Sequence, residues 1–152
     1  MEEKGESLKK HSLPYWREPQ IAEEACLLFF ELLEEGARNL LPRAMEKLGI
    51  VPIPYSQISK NKKDLQLYFS EYGYLAPPIN GIHLFFFNEK QGAAELRKTS
   101  WHEVGHVVLG HTQESALAEA EADFFMECAI LLEANKEKLK EVLPMIRKTK
   151  SA

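Results

Sequence analysis

Apolar positions between residues 20 and 36 recur at helical spacing: Ile21, Ala25, Leu28, Phe29, Leu32 and Leu33 follow an i, i+3, i+4 pattern, with Pro19 before them and Gly36 after. This predicts a helix from Gln20 to Gly36. Ala37 to Leu48 predicts a second, shorter helix. Gly49 then reads as a stop, and Ile50-Val51-Pro52-Ile53-Pro54-Tyr55 as an extended stretch whose prolines confine it to an edge strand or a loop. Asp64 to Tyr74 alternates loosely through Leu65, Leu67 and Phe69, and Pro77-Pro78 with Asn80-Gly81 adds turn chemistry, so a small hairpin is expected. Ile82 to Asn88 is too apolar for a half-exposed strand and too short for a buried helix, which predicts a strand covered on both faces. From about Gly92 the pattern turns helical and stays so.

No repeat, low-complexity tract or linker divides the chain, and the mixture of elements predicts one α+β domain. Residues 1–18 read as a polar lead-in whose aromatic pair, Tyr15 and Trp16, is expected to dock on the domain. The domain itself is expected over residues 19–135, and residues 136–152 read as a charged Lys/Glu tail.

At 152 residues and 45% hydrophobic content the chain can bury a core, which excludes a wholly disordered protein. Nineteen basic against 23 acidic residues give a net charge of −4, too little positive field for nucleic acid to be expected as a direct partner. No apolar run approaches the roughly 20 residues that span a bilayer, and Met1–Lys10 lacks the apolar core of a secretory signal, so a soluble, cytoplasmic chain is expected. Cys26 and Cys128 each sit in an apolar stretch and are expected as reduced core residues.

The chemistry concentrates in His102-Glu103-Val104-Gly105-His106, an HExxH motif. Residues four apart on a helix are rotated by only about 40°, so His102 and His106 present their imidazoles on one face, one turn apart, as two zinc ligands require. Glu103 lies beside that face, able to act as general base toward a water at the metal without ligating it. The ordinary alternative is a surface helix with two solvated histidines. Against it, Trp101, Val104, Val107, Val108 and Leu109 surround the motif with apolar side chains, and buried imidazoles need partners.

A third ligand is expected from Glu119-Ala120-Glu121-Ala122-Asp123. Glu119 and Glu121 are about 200° apart on a helix and cannot both face one ion. Glu119 is preferred and Glu121 is the alternative, because Glu119 shares a face with Asp123, which would accept a hydrogen bond from the free ring N–H of a ligand histidine. His111 is one residue off the register of the third histidine in metzincins. It is expected to meet the last carbonyls of a helix ended by Gly110, or to line the pocket rim. His83, Tyr72 and Tyr74, with His111, are unranked candidates for stabilising an oxyanion, though the two tyrosines are first expected to pack.

The run Arg97-Lys98-Thr99-Ser100-Trp101-His102-Glu103-Val104-Gly105-His106-Val107-Val108-Leu109-Gly110-His111, followed by Glu119-x-Glu121-Ala122-Asp123-x-Phe125, resembles the ImmA/IrrE-type metallopeptidases over roughly residues 80–132. The resemblance implies a compact zincin-like fold with a small sheet, the HExxH helix and a following Glu-ligand helix. It also implies that the strand before the active helix, Ile82 to Asn88, borders the substrate cleft. It further implies a zinc endopeptidase acting on a protein substrate of the phage or mobile-element repressor type, often a helix-turn-helix protein encoded nearby. The expected assignment is Zn²⁺ on His102, His106 and Glu119, Glu103 as base, and Asp123 supporting a ligand. The rival expectation, from another class, is a metal-binding regulatory module that binds a repressor without cleaving it.

Overall fold

A computed structural model describes residues 13–58 and 70–151, with side chains as far as Met145. Among the described residues the order is α1 (Arg17–Glu34), α2 (Leu40–Leu48), β1 (Ile50–Pro54), a 3₁₀ turn (Tyr55–Gln57), β2 (Gly73–Leu75), β3 (His83–Phe87), α3 (Ala93–Val108), α4 (Ala116–Ala134) and α5 (Lys136–Ser151). Helices thus dominate a small sheet, and the α+β expectation holds.

The first helix starts three residues earlier than its apolar pattern predicts. Pro19 falls inside the first turn, where an α-helix leaves backbone N–H groups unpaired anyway, so its missing donor costs nothing. At the other end Gly36, at φ 78°, closes a Schellman turn: its N–H donates to Leu33 O, and Ala37 N–H to Leu32 O. Gly49 ends α2 in the same left-handed region, at φ 74°, and a Cβ there would lie 2.6 Å from the Gly81 carbonyl oxygen. Only glycine fits at that junction.

β3 is the centre of the sheet, with β1 parallel on one side and β2 antiparallel on the other. Gly49 O accepts from His83 N–H, and by alternation the polar groups of Val51 and Ile53 face β3 while Pro52 and Pro54 turn toward the free edge. An edge strand is where prolines are tolerated. The expected hairpin is β2–β3. Its tip is the type I′ pair Asn80-Gly81, at φ 54° and φ 80°, closed by reciprocal hydrogen bonds between Ile79 and Ile82. Most of the Asp64–Tyr74 strand expected from alternation lies outside the described residues.

Two expectations about exposure need correcting. The Ile82–Asn88 strand is not covered on both faces: within β3 only Phe85 is buried and its neighbours are half-exposed, because a three-stranded sheet is too narrow to be enclosed. Tyr15 and Trp16 do not dock either, being 89% and 56% exposed. A turn in which Arg17 N–H donates to Pro14 O places them outside, and it is Leu13 that packs against the core.

The core joins α1, α3, α4 and the sheet through Phe29, Trp101, Val104, Phe125, Phe85 and Ile50. Phe29 and Trp101 stack at 5.1 Å between ring centroids, and the Trp101 indole N–H donates to Glu133. The segment expected as a charged tail is helical, and Leu143 enters the core with Leu139 packed against it. Among the described residues no helix is long and apolar enough to cross a membrane.

Candidate metal centre

α3 turns Trp101, Val104 and Gly105 into the core, which leaves His102, Glu103 and His106 on its half-exposed side. α4 crosses this helix closely. A Cβ on Gly105 would stand 3.0 Å from Phe125 Cβ and Cδ1, so the missing side chain is what lets the two backbones approach. Ser115 caps α4, its hydroxyl accepting from Ala118 N–H, and so fixes Glu119 in the first turn, where the helix dipole favours an anion.

Three donor groups converge. Nε2 of His102 lies 3.0 Å from Glu119 Oε1, Nε2 of His106 lies 3.0 Å from Glu119 Oε2, and the two ring nitrogens are 3.2 Å apart. A tetrahedral ion with bonds of about 2.0–2.1 Å holds its donors roughly 3.3 Å apart, so this triangle has the dimensions of one face of a metal site. The rings are also oriented for the task. His102 Nδ1 is 2.8 Å from Asp123 Oδ1, and a carboxylate there fixes the ring proton on Nδ1, which turns the Nε2 lone pair toward the triangle. His102, His106 and Glu119 could therefore hold a metal ion. The Glu119 side chain is 48% exposed, so solvent reaches the cluster from its side.

The electrostatics follow from this crowding. Burial opposes charging His102, but hydrogen bonds to Asp123 and Glu119 outweigh it and raise its pKa to about 10. Hydrogen bonds from His102 and His106 hold the Glu119 carboxyl far below the usual carboxylate range. Burial pushes Glu103 up, against the opposing pull of the two histidines, and the charge of Glu119 raises it further. Glu103 is thus electrostatically part of the cluster while its carboxylate stays off the ligand triangle.

Glu121, the alternative third ligand, is elsewhere. It is 8% exposed on the buried side of α4, where Arg17 grips it with Nε at 2.8 Å and an Nη2 contact at 3.2 Å, and His111 Nε2 approaches at 2.8 Å. These partners keep its pKa below the ordinary value, Arg17 most of all. His111 sits just past the Schellman turn that ends α3: Gly110 is at φ 72°, its N–H donates to Val107 O, and the His111 N–H donates to His106 O. That contact is made by the backbone N–H, whereas the expected carbonyl partner was for the imidazole. The His111 side chain does something unforeseen, reaching back to place its Nδ1 2.9 Å from His106 Nδ1.

Two of the other candidates have different surroundings. Tyr72 is 47% exposed and bonded to Glu71, and His83, at the start of β3, has its Nδ1 buried without a hydrogen-bond partner among the described residues. Arg97 pairs with Glu133. β3 itself is central, paired with β1 on one side and β2 on the other. The residue that sequence reasoning missed is Arg17, placed in the lead-in because nothing local to it announces a role. The indirect signal was Glu121, a carboxylate on the apolar face made by Ala118, Ala122 and Phe125, which had to find a cation. Compared with protein-family models, curated proteins and solved structures, the chain gives no match in any of the three.

Proposed function

We propose that this chain is a zinc-dependent endopeptidase of the ImmA/IrrE type, acting in the cytoplasm on a protein substrate, a phage- or mobile-element-type repressor. The observation that carries the reading is the convergence of His102, His106 and Glu119 with Glu103 electrostatically coupled beside them. The two imidazoles and one carboxylate suit zinc, whose catalytic sites combine three nitrogen or oxygen ligands from the protein with one open position. When bound, zinc supplies Lewis-acid polarisation of the scissile carbonyl and acidification of water.

The rest is done by the chain. Glu103, its proton affinity raised by burial, takes the proton from the attacking water and delivers it to the leaving amine. Asp123 holds the His102 ring in position, and the exposed side of Glu119 leaves an approach for the peptide. A purely structural metal site has no use for a titratable carboxylate adjacent to its first ligand, which favours catalysis over a silent binding module.

Glu103→Gln tests this. The amide keeps the side-chain size and leaves the ligands in place but cannot accept the proton. The expected variant folds, binds zinc as the wild type does and still associates with a candidate repressor, yet yields no fragments. Equal cleavage by both forms would remove Glu103 as the base. A wild type that regulates its partner without ever producing fragments would favour the binding-module reading.

A further inference from the structure

We propose that Arg17, acting through Glu121 and His111, is a positioning residue for His106, setting which of that ring's nitrogens is free to bind metal. The inference rests on the metal-site reading above, with His106 ligating through Nε2.

The argument is one of proton accounting along four side chains. His106 Nε2 faces Glu119 and His102, so a ring that donates its lone pair there must carry its proton on Nδ1. That Nδ1 is 2.9 Å from Nδ1 of His111, and two nitrogens at this distance need one donor and one acceptor. His111 must then accept, which moves its own proton to Nε2, and Nε2 lies 2.8 Å from Glu121 Oε1. A carboxylate can only accept. It is kept in place, with its oxygens accepting, by the two-pronged contact with Arg17, which also binds Gln20 within the first turn of α1. Every link has one polarity, and the polarity at the far end dictates the near one. If Glu121 presented a donor, His111 would shift its proton to Nδ1 and His106 its proton to Nε2, the atom that has to bind the metal.

Burial makes the chain a committed one. The His106, His111 and Glu121 side chains are only 14%, 13% and 11% exposed, so water is poorly placed to substitute for a lost partner. The backbone hydrogen bond from His111 N–H to His106 O fixes the spacing of the two rings from the other end. An ion pair that only fastened α1 to α4 would not require His111 between its anion and the cluster.

The test uses the full-length chain and zinc alone, with affinity read by chelator competition and ring protonation by ¹⁵N NMR of the histidines. Glu121→Gln, which puts an amide donor into the chain, is expected to weaken zinc roughly 10- to 100-fold, the usual scale for a partner behind a ligand, and to move the ring-nitrogen signals of His106 and His111. Arg17→Ala is expected to fall in the same range, with partial recovery in Arg17→Lys. The Arg17→Ala/Glu121→Gln double variant is expected to be little worse than either single, since links in series do not add. Should Arg17→Ala fail to fold, Glu121→Gln with Arg17→Lys decides the matter. Zinc affinity within twofold of wild type and unmoved ring signals in Glu121→Gln, whatever happens to its melting temperature, would reduce the chain to a structural tie and overturn the proposal. His106→Ala serves as the separate control: full zinc binding in that variant would sink the metal-site reading itself rather than this inference alone.

Discussion

At the scale of single residues, the proposed zinc site would be a contest between a proton and a metal for one nitrogen. With its pKa raised to about 10, His102 is protonated at neutral pH in metal-depleted protein, so zinc must displace that proton. Zinc affinity is therefore expected to climb about tenfold per pH unit from neutrality and to level off as the pH passes about 10, measurable by competition against a chelator of known pH dependence. The sign for folding is the reverse. The imidazolium stabilises the metal-depleted fold fully below the ordinary histidine pKa, and that contribution fades as the pH rises through about 10. Asp123→Ala removes one carboxylate that stabilises the imidazolium and orients the ring. It is expected to lower zinc affinity roughly 10- to 100-fold and to bring the levelling-off to lower pH. Unchanged affinity would return Asp123 to an ordinary surface acid. His102, His106 and the preference for Glu119 were legible in sequence because i, i+4 spacing puts the two histidines on one face of a helix and Glu119 with Asp123 on one face of the next. The role of His111 was not, since it depends on a turn that folds the residue after Gly110 back over its own helix.

At the scale of elements, the site is made by the approach of α3 and α4, and Gly105 sets that approach. Gly105→Ala would gain up to about 1 kcal/mol in helix propensity. Against this, the new methyl group meets Phe125, which is fully buried and has nowhere to move, and overpacking of this kind costs about 1–3 kcal/mol. The expected outcome is a net loss of stability in thermal or denaturant unfolding together with weaker zinc binding, because Glu119 rides on the displaced helix. A variant more stable than wild type with zinc affinity intact would show that the helices have slack. The helices themselves were readable from periodicity and their glycine stops. Their limits shifted where the apolar pattern stopped short of the first turn, as at Arg17–Pro19, or where Leu139 and Leu143 were hidden among lysines and glutamates in the last helix.

For the whole molecule, a metal held by His102, His106 and Glu119 would add a tie between α3 and α4, which already meet through packing and through the contacts of Trp101 and Arg97 with Glu133. Zinc that binds the folded state and not the unfolded one stabilises it by about 4 kcal/mol at a thousandfold excess over Kd. Stripping the metal with a chelator is expected to lower the melting temperature by several degrees and adding zinc back to restore it, with no such response in His106→Ala. An unresponsive wild type would mean that the three donors do not form a site in solution. The sheet carries a consequence of a different kind. Among the described residues Pro52 and Pro54 turn to the side of β1 away from β3, so that edge lacks N–H donors at two of its three outward positions, which leaves the short β2 side better suited to pairing. A filament built by strand stacking needs two receptive edges on every subunit. Edge-to-edge association through the described strands is therefore expected to end at a pair of molecules.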